Sequence, residues 1–419
     1  MSEIRGMSRG KPGPDLSVRN AAGLGGAALR QSLEAFLGRT AAELVAFRRD
    51  LHAHPEPGYA EFRTTERIRA RLTKAGLRPR ILPGGTGLTC DIGPKDGPMV
   101  ALRADIDALP LQDEKDMGYR STVPGVAHAC GHDVHTTMVL GAGLFLAELA
   151  ASGQLPGRVR LIFQPAEEIG TGSREVIAAG GLRGVERIVA LHCDPQLEVG
   201  QVGLRSGPIT ASTDTVLVKV TGPGGHTARP QLTTDVVYAL AKIVTELPSA
   251  LSRRVDPRSG LSLVWAQILS GSVANAIPEQ GFAEGTVRCL DTEARLRAPE
   301  LLEALVQSVA AAYNAKAELK YVSLVPPTVN EEASVQMFRD ATGQVLGEAA
   351  VVPTPQSMGG EDFGLCLESV PGALARLGVA APGSTKRYDL HRGGFDVHEG
   401  CIPVGVRVLS ATALTALGR

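Results

Sequence analysis

Cys130 and His132 are separated by one residue in HACGHDVH, a segment that also carries His128, Asp133 and His135. A thiolate and an imidazole are good ligands for zinc and other borderline divalent ions, and nearby carboxylates commonly orient ligating histidines. The same spacing suits a buried cysteine beside a helix-capping His-Asp pair, so the segment takes its meaning from its company. QPAEE places Glu167 and Glu168 directly after the apolar run RLIF. Neighbouring side chains leaving a strand point to opposite faces, so one carboxylate can bind a cation while the other faces a water. The alternative is an exposed acidic loop. Asp105 and Asp107 close VALRADID and share one side. Carboxylates there are costly unless paired or ligating, so either can bind metal or hold a histidine, with a structural helix-cap or salt-bridge role for one of them as the alternative. His192 ends the apolar run IVALH, and His391 stands beside Tyr388 and Asp389. A lone histidine is more often a satisfied core or surface group, and only its neighbours argue otherwise.

The elements that must position these groups alternate. PRILPG, GLTCDIG, PMVALRAD, RVRLIFQ and RIVALHC read as strands, and HTTMVLGAGLFLAELAASG and TTERIRARLTKAGL as helices. Residues 29–51 read as one or two further helices. Such alternation predicts an α/β fold with a mostly parallel, helix-covered sheet, whose ligands bind beyond the carboxyl ends of the strands. Near residue 210 the rhythm changes to strand, helix, strand, strand, helix, strand, ending at AELKYVSL. That order is the ferredoxin-like split unit. We therefore expect a catalytic domain of residues 31–209 plus 326–419, and an inserted α+β lid or dimerisation domain of residues 210–325. After it come a helix (EASVQMFRDATGQVLG), a loop (TPQSMGGEDFGLCL), a strand (ALARLGV) and a closing helix.

The inserted unit offers chemistry of its own. GPGGH ends in His226, which a glycine turn would present on a loop tip, either as a plain hairpin or as an electrophile for an oxyanion. Asn275 in NAIP and Arg288 are candidates for a substrate carboxylate, which a fork-shaped guanidinium suits.

Composition narrows the class. With 419 residues, 21% charged and a net charge of -1, nothing favours nucleic acid or an anionic membrane surface. No apolar run approaches the ~18 residues of a membrane span, and residues 1–30 lack a signal-type apolar segment and read as a disordered leader. Six widely spread cysteines indicate reduced thiols and a cytoplasmic protein.

HAHPE, RADIDALP, HACGHDVHTTMVLG, QPAEE, LH, GGH, NAIP, SMGGEDF and a late LH follow one another in this order. Over residues 40–415 the chain thus resembles the amidohydrolase branch of the dinuclear aminoacylase/carboxypeptidase metallopeptidases, which includes hippurate hydrolase and auxin-conjugate hydrolases. The resemblance implies two divalent metal ions (zinc or manganese, with cobalt or nickel as further options) held by Cys130, His132, Glu168, His192 and His391. It makes Glu167 the general base, Asp107 the aspartate behind the site, and Asn275 and Arg288 the holders of the substrate carboxylate. It has His226 stabilise the oxyanion, reaching the site of a partner subunit in a homodimer or tetramer. The implied substrate is a small N-acyl-amino acid, split into amino acid and carboxylic acid. A dipeptidase with the same metal core is the alternative, and a metal-stabilised binding protein without turnover the alternative of another class. Gln231, IGTGSRE and HRGGFDVHEG depart from the family's usual pattern and bear on substrate preference.

Overall fold

The computed structural model describes residues 25–385 and 387–418. Residues 1–24 of the expected leader lie outside the described residues, whereas residues 26–30 already belong to the first helix, Gly26–Ala53. Leu29 and Leu33 are the reason, since both are buried in the core.

The apolar runs become an eight-stranded sheet in the order Arg80–Ile81, Leu88–Ile92, Arg158–Gln164, Met99–Asp105, Arg187–Glu198, Gly372–Ala380, Val202–Leu204, Val351–Pro353. Its four central strands run parallel to one another, and antiparallel pairs lie toward the edges. Every residue of Met99–Asp105 is buried, as expected for a strand covered on both faces. On one face pack the helices Gly26–Ala53, His132–Ala151, Glu332–Leu346 and Cys401–Leu417. The other face carries a smaller apolar cluster that includes Val176, Phe363 and Cys366.

Contrary to the sequence-based reading that no apolar run approaches a membrane span, His132–Ala151 is long and apolar enough to cross one by length and composition, but 78% of its apolar window is buried inside the protein. It is a core helix, pressed between its neighbours and the sheet. All six cysteines are buried and free.

Residues 213–325 build a second sheet, four-stranded and antiparallel, in the order Ser262–Ser270, Gln280–Arg288, Thr213–Thr221, Lys316–Val325. The helices Val236–Leu251 and Thr292–Ala311 pack on it around a core of their own. A two-stranded ribbon, Gly225–His226 with Ala276–Ile277, stands beside it.

Two further sequence-based readings change. Arg187–Glu198 does not stop at His192, because Cys193, Asp194 and Glu198 continue to pair with Gly372–Ala380. The segment expected as a loop around SMGGEDF contains a short helix, Phe363–Leu367, which buries Phe363 and Cys366.

Candidate metal centre and catalytic pocket

The parallel strands end at one edge of the large sheet, and the chemistry collects there. The turn from Ala129 to His132 enters the core helix through Gly131 at φ 85°. It brings the Cys130 Sγ within 3.5 Å of His192 Nε2. His192 spends its Nδ1 on the Cys193 carbonyl, 2.8 Å away, which leaves Nε2 aimed at the cysteine. His132 Nδ1 lies 3.0 Å from the Asp107 carbonyl and 3.1 Å from its Oδ1, so its Nε2 points away from Asp107. Asp107 Oδ2 accepts the Glu168 N–H at 3.0 Å. One aspartate thus orients a histidine and a glutamate together.

Glu168 Oε1 lies 3.3 Å from His391 Nε2 and 3.8 Å from His132 Nε2. His391 is tied in by its backbone N–H to the Ala129 carbonyl at 2.8 Å, and it adopts a left-handed φ of 60°. Non-glycine residues held there store strain of about 1–3 kcal/mol. Ala166, just before the glutamate pair, does the same at φ 52°.

The side chains Cys130, His132, Glu168, His192 and His391 therefore converge, and their ligand atoms fall into overlapping groups that fit a cation. The fit is marked by two orphans. His132 Nε2 and Glu168 Oε1 are buried without a well-formed hydrogen bond, Glu168 Oε1 keeping only its ion-pair contact with His391, a costly state unless something binds them. The electrostatics agree. Against the cost of burial, Asp105, Cys130 and Asp107 hold His132 protonated well above its ordinary range. Cys130 and Glu168 push His391 up to about 10. Protons are held where a divalent cation would replace them. Burial and then the Arg376 guanidinium keep His192 neutral, as ligation requires.

Glu167 turns the other way. Its Oε1 accepts the Asp362 N–H at 3.3 Å. Burial, and then the carboxylates of Glu361 and Glu168, push it well above the usual carboxylate range. With Cys130, Glu168, His192, His391, Arg288 and Arg376 it lines a cavity of about 430 Å³ between the two sheets. Arg288 donates to the Thr213 hydroxyl at 3.0 Å and the Met358 carbonyl at 2.6 Å.

Other candidates fall elsewhere. Asp105 holds His135 at 2.6 Å, and His135 Nε2 accepts the Cys193 N–H, so that ring is engaged on both sides. Asp133 does not orient a ligand; it binds Arg48 and His52, each at 2.7 Å. His226 and Asn275 sit together, exposed, at the small ribbon, and neither lines the cavity.

Sequence reasoning passed over three groups. Arg103 bonds Gln164, Asp105, Glu361 and Asp362 at 2.8–3.1 Å and locks the loop that carries Glu361 against the strand ends. Its signal was present: an arginine within a fully buried strand needs anionic partners. Glu361 and Arg376 are the others.

An α/β sheet edge loaded with thiolate, imidazole and carboxylate, capped by a second α+β unit, defines a metallohydrolase architecture. Residues 101–415 match Peptidase family M20/M25/M40, and the chain belongs to that family. It is 37% identical over 376 residues to an N-acetylcysteine deacetylase of Bacillus subtilis, covering 89% of this chain and 97% of that one. To the IAA-amino acid hydrolase ILR1-like 4 of Arabidopsis thaliana it is 35% identical over 374 residues, 88% of this chain and 84% of the other. A Rhodococcus jostii protein with the provisional name glutamate–cysteine ligase 2-3 is 48% identical over 376 residues, which is 90% of this chain but 46% of that protein's length. Among solved structures, the Bacillus subtilis YXEP protein, described as a dinuclear metal binding peptidase of the M20 family, superposes with a TM-score of 0.80 at 34% identity. The match covers 92% of this chain and 99% of that one.

Proposed function

We propose that this protein is a metal-dependent amidohydrolase that cleaves N-acyl-amino acids into amino acid and carboxylic acid. The observation that carries the reading is the convergence of Cys130, His132, Glu168, His192 and His391 on unpartnered ligand atoms, with Glu167 beside them in the same cavity. The deacetylase and amino acid hydrolase names of the relatives support the substrate class.

Those five side chains would hold two divalent cations, zinc or manganese first, with cobalt or nickel equally suited to a mixed N/O/S set. Bound there, the cations supply Lewis acidity for the scissile carbonyl and for water. Glu167, kept basic by its buried acidic surroundings, takes the proton of the attacking water and delivers it to the leaving amine. Arg288 presents its free guanidinium edge to the substrate carboxylate. Asp107 keeps His132 and Glu168 in place throughout.

His226, exposed on its ribbon, would donate to the oxyanion in the cavity of a second chain. The edge strand Ser262–Ser270 supports a homodimer: it is paired on one side only and exposes Val264, Ile268 and Leu269. Unpaired apolar edges are normally covered. Buried, unpaired cysteines support a reducing, cytoplasmic location.

The test is a panel of N-acetyl- and N-benzoyl-amino acids and one dipeptide, assayed with zinc- and manganese-loaded protein, alongside Glu167→Gln. We expect N-acyl-amino acids to be hydrolysed. We also expect Glu167→Gln to keep its metal by elemental analysis while turnover falls at least ~10³-fold, within the range for a lost general base. Near-normal turnover in that variant would falsify the assignment.

A further inference from the structure

Among the described residues, Arg376 is an arginine without a partner in the candidate catalytic cavity. It lies on the strand Gly372–Ala380 in direct register with His192 on the neighbouring parallel strand, so the two side chains rise from the same face, and both line the cavity. On its other side the register partner is Gly203, whose missing side chain leaves the arginine stem uncrowded. A Cβ there would come within 3.2 Å of Arg376 Cβ. The strand residue on the same face two positions back, Leu374, is buried in an apolar cluster, so nothing about the strand itself calls for a charge.

Among the described residues, Arg376 makes no hydrogen bond and no ion pair, unlike Arg103, Arg288 and Arg387. Arg103 holds Glu361 and Asp362, Arg288 holds Thr213 and the Met358 carbonyl, and Arg387 holds Glu198 and the Gln196 carbonyl. The carboxylates that line the cavity are all committed. Glu361 and Asp362 belong to Arg103, Glu168 to the ligand cluster, and Glu167 to the proton transfer. A guanidinium beside a cation-binding centre is repelled by it at short range, and is held there at a cost unless an anion enters between them. Thr210, which lines the same cavity, likewise has a buried hydroxyl without a partner.

We propose that Arg376 is a substrate-binding residue that takes a second carboxylate of the substrate, so that the preferred substrates are N-acyl-amino acids carrying two carboxylates. The inference rests on the amidohydrolase reading and narrows it. Arg288 takes the carboxylate common to all such substrates. Arg376, beside His192, takes the additional one. That group comes either from an acidic amino acid side chain or from a dicarboxylic acyl group. Both present the same planar anion that an arginine fork binds bidentately.

Binding can be read without turnover. Titrate N-acetyl-L-glutamate, N-succinyl-L-alanine and N-acetyl-L-alanine calorimetrically into metal-loaded Glu167→Gln protein, then into the same protein carrying Arg376→Leu or Arg376→Lys. We expect one of the two diacids to bind roughly 10- to 100-fold more tightly than N-acetyl-L-alanine, the span of one charge-assisted pair. That advantage should vanish with Arg376→Leu and survive in part with Arg376→Lys. Which diacid shows it identifies the source of the second carboxylate. Equal binding of all three compounds, or a diacid advantage that persists in Arg376→Leu, overturns the proposal. Turnover of N-acetyl-L-alanine by the protein with Glu167 intact tests the amidohydrolase reading separately, so either claim can fail alone.

Discussion

At the scale of single residues, the position of the proposed base depends on a carboxyl that never reaches the substrate. Glu61 is fully buried and its Oε1 accepts the Ala166 N–H at 2.8 Å, pinning the left-handed residue immediately before Glu167. Burial pushes Glu61 from an ordinary 4.5 up to about 7. The folded protein thus binds this proton more tightly than the unfolded chain does. Its contribution to stability is complete below the unfolded value and is lost as pH rises through about 7. The shift corresponds to at most about 3 kcal/mol. Glu61→Gln keeps an oxygen for Ala166 and cannot titrate, so its stability should decline less between about pH 5 and about pH 8. Urea unfolding of metal-stripped wild type and variant at both pH values reads the difference. Equal slopes with pH would remove Glu61 from this role.

At the scale of elements, the entry into the core helix decides whether Cys130 and His132 can share a centre. Gly131 joins them at φ 85°, and a Cβ there would stand 2.8 Å from the Cys193 Sγ and 3.0 Å from its Cβ. Gly153, near the far end of the same helix, has a similar φ of 71° but nothing within 4 Å. Gly153→Ala should therefore cost only the backbone strain, about 1 kcal/mol. Gly131→Ala adds overpacking of about 1–3 kcal/mol and should also weaken metal binding. Thermal melts and metal titrations of both variants test this, and equal losses would contradict it. The elements themselves were legible because their signals are local: apolar runs bounded by glycine and proline gave the central strands, and the alternation after residue 210 gave the second sheet. The site was legible only where it is written as short motifs. Arg103 escaped notice because its partners Glu361 and Asp362 lie more than 250 positions away, and Asp133 was misread because Arg48 and His52, which claim it, lie in a different helix. His192 looked like a strand end because the pairing that extends its strand is made with residues 377–380.

At the scale of the whole molecule, one chain lines a single cavity with Cys130, Glu167, Glu168, His192, His391, Arg288 and Arg376 but leaves His226 and Asn275 outside it. A symmetric dimer resolves this if each ribbon enters the other chain's cavity, since an isologous interface makes the same exchange twice. The consequence is complementation. Glu167→Gln would lack the proposed base and His226→Ala the proposed oxyanion donor, a group worth ~10²–10³ in rate, so each variant should be nearly inactive by itself. In a mixed dimer, the His226→Ala chain keeps its own Glu167 and receives His226 from its partner, which rebuilds one working site. Equal mixing with full subunit exchange gives about one quarter of the wild-type activity, because half the dimers are mixed and each carries one good site. Unfolding and refolding the two variants together, followed by a hydrolysis assay, measures this. Recovery near a quarter places His226 in the partner's site. No recovery, in a mixture shown by sedimentation to contain dimers, would confine each site to its own chain.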